Sequence, residues 1–370
     1  MSTSPEPMPI PVPVPFSWAD QERHLVSHLS ALIRLDTSNP PGNEIAVARY
    51  LSHQLSRADI THTVLESEPG RANLVARLPG SGQKPPLMLL SHADVVGTGP
   101  PEGWSRPPFS GEVADGRVWG RGALDMKGQV AAHRFRLTRD VLMVVTADEE
   151  AGSRLGAYWL WEHHRGLVEA ELAFNEGGGQ RFMTPGGPVY TVQVAEKGSA
   201  RMRVTARGPG GHASVPRAES AVFTLAEALL RLRAFAPESV LHPASRRMLR
   251  TLADLHPGAG AEAIGRLLKE PTWAGAHALP IDPVLREFVV TGLLGDAVAA
   301  HEPGARVLPY INPAATDARA FPETKVVGFF SSAGDADIMR LIHAPDEHAR
   351  ISDLMLGGSC LLDAVLRFAT

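Results

Sequence analysis

Seven acidic and imidazole side chains sit where they could hold and use metal ions. They are His92 and Asp94 in Ser91-His92-Ala93-Asp94, Asp125 in the loop Gly120-Arg121-Gly122-Ala123-Leu124-Asp125-Met126-Lys127-Gly128, Glu149 and Glu150 in Thr146-Ala147-Asp148-Glu149-Glu150, Glu176 just before three glycines, and His343 in His343-Ala344-Pro345-Asp346-Glu347. Nitrogen and carboxylate donors without cysteine suit zinc, with cobalt or manganese as alternatives. Two metals about 3.5–4 Å apart need a bridging group and flanking ligands on each side. Asp125, set among glycines that let the main chain turn tightly, is read as that bridge. Asp94, two residues after His92, is placed to accept the second imidazole N–H and fix the tautomer. Of the adjacent Glu149 and Glu150, one can bind metal while the other takes a proton from water between the metals. A lone strand-end histidine or an Asp-Glu-Glu run is ordinarily structural, so the argument rests on the whole set in this order.

The elements that must position these residues follow from hydropathy patterning. Ser17 to Leu35 and Glu44 to Leu55 carry apolar residues at helical spacing. Thr61 to Leu65, Asn73 to Leu78, Pro86 to Leu90, Val141 to Val145 and Glu171 to Phe174 read as strands. Leu87-Met88-Leu89-Leu90 is wholly apolar, as a strand covered on both faces would be. Strands alternating with helices predict an α/β fold with a mostly parallel sheet flanked by helices. His92, Glu149, Glu150 and Glu176 each follow an apolar strand, the edge at which open α/β sheets bind ligands.

From Val189 the pattern changes. Tyr190 to Val194 and Arg201 to Ala206 alternate like half-solvated strands. Ala218 to Ala234 reads as a helix with Val222, Leu225, Leu229 and Leu232 inward, and Arg246 to Leu268 as further helix broken at Pro257-Gly258. The expected organisation is a disordered proline-rich arm at 1–16, a catalytic domain at 17–195 and 293–370, and an inserted smaller α+β lid and dimerisation domain at 196–292. Arg306 to Tyr310, Lys325 to Phe330 and a helix from Ser352 to Phe368 close the catalytic domain.

Composition narrows the function. The 370 residues are 44% hydrophobic and 21% charged with net charge −4, ordinary for a globular protein and unlike a nucleic-acid binder. The single cysteine, Cys360, excludes an internal disulfide. No apolar run approaches the roughly 20 residues that span a bilayer, and Met1 to Pro15 lacks the basic start of a secretory signal. A cytoplasmic protein with no membrane partner is expected.

These motifs resemble the di-zinc metallopeptidases that include aminoacylase, carboxypeptidase S, acetylornithine deacetylase and succinyl-diaminopimelate desuccinylase (peptidase family M-twenty). The resemblance implies that His92, Asp125 and Glu176 hold one zinc, that Asp125, Glu150 and His343 hold the other, and that Glu149 is the general base. It implies a cis peptide after Asp125. It also makes His212, in Gly211-His212-Ala213-Ser214, a lid residue that polarises the scissile carbonyl, commonly from the partner subunit of a homodimer. Thr316-Asp317-Ala318-Arg319 resembles a pocket-lining stretch. The implied activity is hydrolysis of the amide of an N-acyl amino acid or a dipeptide with a free carboxylate, by a metal-bridging hydroxide with Glu149 as base. Two features depart from the pattern. Gln129 to Asp140 is a short crossover. The lid also reads as shortened, because no Asn-x-Ile-Pro segment and no carboxylate-binding arginine stand between Phe288 and Gly304, which leaves Arg319 as the candidate for that contact. The alternative is therefore a metal-binding homologue with little catalysis because its lid is incomplete.

Overall fold

The computed structural model describes residues 18–128, 139–196, 203–209, 220–234, 241–270, 279, 306–312, 314–329 and 338–369. The proline-rich arm, most of the Gln129–Asp140 crossover, the loop with His212 and the segment from Phe288 to Gly304 lie outside the described residues.

Among these, nine strands form one mixed sheet: β1 (Thr61–Glu68), β2 (Arg71–Leu78), β3 (Leu87–His92), β6 (Val141–Thr146), β7 (Leu172–Asn175), β8 (Arg181–Thr184), β9 (Gly187–Glu196), β10 (Arg306–Asn312) and β11 (Lys325–Gly328). Their order is β1-β2-β6-β3-β7-β11-β9-β10, with β8 beside β9. At its centre β6, β3, β7 and β11 run parallel, as expected of a βα repeat; β1, β2 and β8 join antiparallel. Strands β4 (Glu112–Ala114), β5 (Arg117–Trp119) and β12 (His348–Arg350) make a separate small sheet.

The apolar run of β3 has a direct cause. Leu87 and Leu89 face one core with the helix Ile351–Ala369, while Met88 and Leu90 face another with helices α3 (Ala157–His163) and α4 (Arg165–Val168). Successive side chains point to opposite faces, so a strand covered twice must be apolar at every position. Helix α2 (Glu44–Arg57) buries Val47, Ala48, Leu51 and Leu55 as one stripe.

Three expectations about the inserted region change. Helices α6 (Pro243–Leu255) and α7 (Ala259–Lys269), expected within the insertion, bury Met248, Leu249, Leu252 and Ile264 with Val189, Leu308 and Tyr310 of β9 and β10. Their packing joins them to the large sheet. Arg203 to Ala206 shows no strand. Helix α5 (Ala221–Ala234) forms, but Val222 is 72% exposed, and Leu229 and Leu232 are exposed as well. Of the four side chains expected inward, these three are exposed and Leu225 is half-buried; helical spacing identifies a stripe but not what covers it.

Beneath the carboxyl edge of the sheet lies a buried charge network. Arg71 forks onto Glu44, Nε to Oε2 at 2.8 Å and Nη2 to Oε1 at 2.7 Å, and reaches Asp148 Oδ1 at 3.2 Å. Glu44 is fully buried and also accepts the Asp148 N–H at 3.2 Å. Removing one partner of such a pair strands a buried charge. Arg71→Met should therefore lower unfolding stability by about 3–5 kcal/mol in denaturant titrations. A loss below about 1 kcal/mol would show that the network contributes no more than a surface ion pair.

Candidate metal centre

The parallel register brings the candidate residues to one edge. His92 ends β3, Glu149 and Glu150 follow β6, and Glu176 follows β7, the two strands that flank β3. The loop with Asp125 and the segment with His343 close over that edge. The loop needs its glycines. Gly120 (φ +141°) and Gly122 (φ +85°) occupy backbone conformations that L side chains rarely adopt, and a Cβ on Gly120 would stand 2.6 Å from the Pro108 carbonyl oxygen. The Asp125–Met126 peptide is cis.

Asp125 faces both histidines. Its Oδ1 lies 3.0 Å from His92 Nε2 and its Oδ2 lies 3.1 Å from His343 Nε2. Glu176 Oε2 approaches His92 Nε2 at 3.5 Å, and Glu150 Oε1 approaches His343 Nε2 at 3.2 Å. Two groups result, His92 with Asp125 and Glu176, and Asp125 with Glu150 and His343, each with its ligand atoms within 4.8 Å of one another. His343 sits at φ +64°, a conformation uncommon outside glycine.

Asp94 is fully buried and ties the edge together. It accepts the backbone N–H of Glu149 at 3.1 Å, that of Glu150 at 3.2 Å and the Asn39 amide at 2.8 Å. Its carboxylate stands 3.4 Å from His92 Nδ1, but its backbone carbonyl is closer, at 3.0 Å. The tautomer is thus set by main chain and carboxylate together. Burial works against the Asp94 charge; His92, Asn39 and the Glu149 N–H outweigh it and hold this carboxyl below its usual range.

The electrostatics fit divalent cations. Burial first, and Glu176 second, push Glu149 up to about 10; burial, then Asp125, push Glu176 up to about 8. Several carboxylates thus crowd one buried place with too little positive charge beside them. Glu150 Oε1 is buried and accepts no hydrogen bond although His343 is near, the relation expected of two ligands to one ion. Two imidazole nitrogens and carboxylate oxygens, with Cys360 remote in the core, are a donor set for zinc-like metals.

Sequence reading missed the supports. Glu347 is fully buried, accepts the N–H groups of Leu124 (2.9 Å) and Asp125 (3.3 Å) on Oε1, and pairs through Oε2 with Arg121 at 2.5 Å. Lys127, also fully buried, donates to the carbonyls of Leu32 and Leu35 at the end of helix α1 (Trp18–Ile33). These partners are remote in sequence, so no local spacing announces them. Asp317 is buried and accepts the Thr146 hydroxyl; Arg319 is half-buried and donates from Nε to the Thr316 carbonyl at 3.0 Å. His212 lies outside the described residues.

The sequence profile of Peptidase family M20/M25/M40 matches residues 88–367. This chain belongs to that family. A succinyl-diaminopimelate desuccinylase from Methylorubrum extorquens is 34% identical over 210 residues, 52% of each chain. A probable carboxypeptidase S-like protein from Dictyostelium discoideum is 32% identical over 163 residues, 40% of this chain and 31% of that one. The chain thus spans about half or less of the length of these curated relatives. Among solved structures, an M20 family metallo-carboxypeptidase from Sulfolobus solfataricus matches with TM-score 0.60 over 92% of this chain and 98% of that one, at 13% identity. Human carnosine dipeptidase 1 matches with TM-score 0.56 over 94% and 97%, at 11% identity. The M20/M25/M40 fold therefore extends over nearly the whole chain.

The pair of carboxylates beside His343 predicts how protons compete with metal. The hydrogen bond to Asp125, then the Glu150 carboxylate, raise His343 to about 10. A group raised in the folded state stabilises it fully below its unfolded pKa, near 6.5, and loses that effect as pH rises through the folded value. In chelator-treated protein, the stability lost on His343→Ala should be present at pH 6 and shrink progressively as pH approaches 10. Denaturant titrations at several pH values read this; a difference that grows with pH would refute the assigned contacts.

Proposed function

We propose that this M20/M25/M40 family chain is a zinc-dependent amidohydrolase that cleaves the amide of an N-acyl amino acid or a dipeptide bearing a free carboxylate. The observation that carries this reading is Asp125, whose two oxygens face different histidines in two overlapping ligand groups. The relatives named as a desuccinylase and as carboxypeptidase S-like support the amide class.

His92, Asp125 and Glu176 would hold one ion, and Asp125, Glu150 and His343 the other. When bound, such ions polarise a carbonyl and lower the pKa of water. Glu149, beside both groups, takes the proton as water oxygen joins the amide carbon. It returns the proton to the amine nitrogen as the C–N bond breaks. Asp94 fixes Glu149 and Glu150 by holding both N–H groups. His212 is assigned the developing oxyanion, and Arg319 a substrate carboxylate. The exposed apolar face of α5 belongs to the inserted unit and supports a homodimer built there. Among the described residues, no helix is long and apolar enough to cross a membrane.

Zinc-loaded protein should contain about two metal ions per chain by elemental analysis, and Asp125→Ala should lose one or both. Protein without stoichiometric metal would end this reading. Glu149→Gln should keep both ions and lose roughly 10²–10⁴ in kcat. Glu150→Gln should bind the ion shared with His343 more weakly and recover activity as zinc is raised. Rescue of Glu149→Gln instead, with Glu150→Gln inactive and fully loaded, would reverse the two roles.

A further inference from the structure

Beside Glu149 and Glu150 opens a cavity of about 790 Å³, within the range of small-molecule sites. Arg154, Tyr158, Glu162 and Arg319 also line it. We propose that Arg154 and Arg319 form an anion-binding wall, so that the substrate portion entering this cavity bears a carboxylate and Arg154 sets specificity for it.

The wall is built from two separate segments. Arg319 is fixed at its base: Nε donates to the Thr316 carbonyl at 3.0 Å and stands 3.5 Å from Glu196 Oε1. Glu196 is itself anchored by the N–H and hydroxyl of Thr316 at 3.0 and 2.8 Å. With Nε engaged, the two terminal nitrogens of Arg319 remain for the cavity it lines.

Arg154 is exposed and, among the described residues, makes no ion pair, yet its backbone is held on both sides. The Ser153 N–H donates to the Asp148 carbonyl at 2.6 Å, and the Leu155 N–H donates to the Asp148 carboxylate at 3.2 Å. The Leu155 carbonyl accepts from Ser67 at 2.6 Å and from Asn73 at 3.0 Å. A Cβ on Gly156 would fall 1.8 Å from the Ala147 carbonyl oxygen, which pins the turn against β6. An unpaired arginine on so fixed a turn, beside the reacting acids, is arranged to meet a ligand carboxylate in fork geometry. Glu162 does not neutralise it. It makes no ion pair among the described residues. The remaining lining, Ala151, Gly152 and Ala315, is small and offers little to an apolar chain.

This inference rests on the amidohydrolase reading for its substrate, so its test has one arm that needs turnover and one that does not. In the first, zinc-loaded protein is given two matched pairs: N-succinyl-L-alanine against N-butyryl-L-alanine, and N-acetyl-L-alanine against N-acetyl-L-alaninamide. In at least one pair the carboxylate-bearing member should be preferred in kcat/KM by roughly 10–100-fold. Arg154→Met should reduce that preference to about threefold or less through KM, and Arg154→Lys should retain part of it. In the second arm, calorimetry compares succinate with butyrate. Wild type should bind succinate at least about tenfold more tightly, and Arg154→Met should abolish the difference. Preferences that survive Arg154→Met in both arms, or that are absent from wild type in both, overturn the proposal. Hydrolysis of none of the four amides, with Arg154-dependent preference for succinate intact, refutes the amide reading and leaves the anion wall standing.

Discussion

The Asp125 carboxylate is shared between two histidines that reach it from opposite ends of the chain, and the rest of the site is arranged to make that sharing tolerable. His92 arrives from the central strand of the sheet and His343 from the segment before the last helix. Around them stand more buried carboxylates than two imidazoles can balance, which is why burial and mutual repulsion push Glu149 and Glu176 toward their neutral forms. A pair of divalent cations would resolve that imbalance, and the donor set is one that zinc-like metals accept.

Holding one carboxylate at a fixed point requires its backbone to be fixed first. Glu347 does this from the same segment that brings His343, receiving the N–H groups of Leu124 and Asp125. Arg121 neutralises Glu347 and also reaches the His343 carbonyl, so the Asp125 loop and the His343 segment, far apart in sequence, are bolted together by one buried ion pair. Lys127 extends the same loop to the end of the first helix. On the other side Asp94 receives the N–H groups of both glutamates, and the Glu44, Arg71 and Asp148 network braces the turn beyond them. These contacts place the candidate metal and proton-transfer residues on rigid supports, which the proposed general-base chemistry requires.

The inserted region follows a different logic. Helices α6 and α7 complete the core under β9 and β10, whereas α5 leaves Val222, Phe223 and Leu230 exposed. Apolar residues at helical spacing look the same in both cases, because periodicity records that a face is apolar and not what lies against it. The difference between a core helix and a face offered to another surface is a property of the packed molecule.

The sequence by itself determined the candidate donor set and most of the sheet. Histidine and carboxylate donors at successive strand ends, the glycines around Asp125 and the doubly apolar β3 are local patterns, set by side-chain type and by a strand period of two. Tertiary structure alone decided what those residues lean on: the Glu347 contacts to the Asp125 loop, the meeting of Arg154 and Arg319 at one cavity, the attachment of α6 and α7 to the sheet and the exposure of α5. Each is a contact, or a missing contact, between segments far apart along the chain. Local spacing carries no record of such pairings, because they arise only when folding brings the segments together.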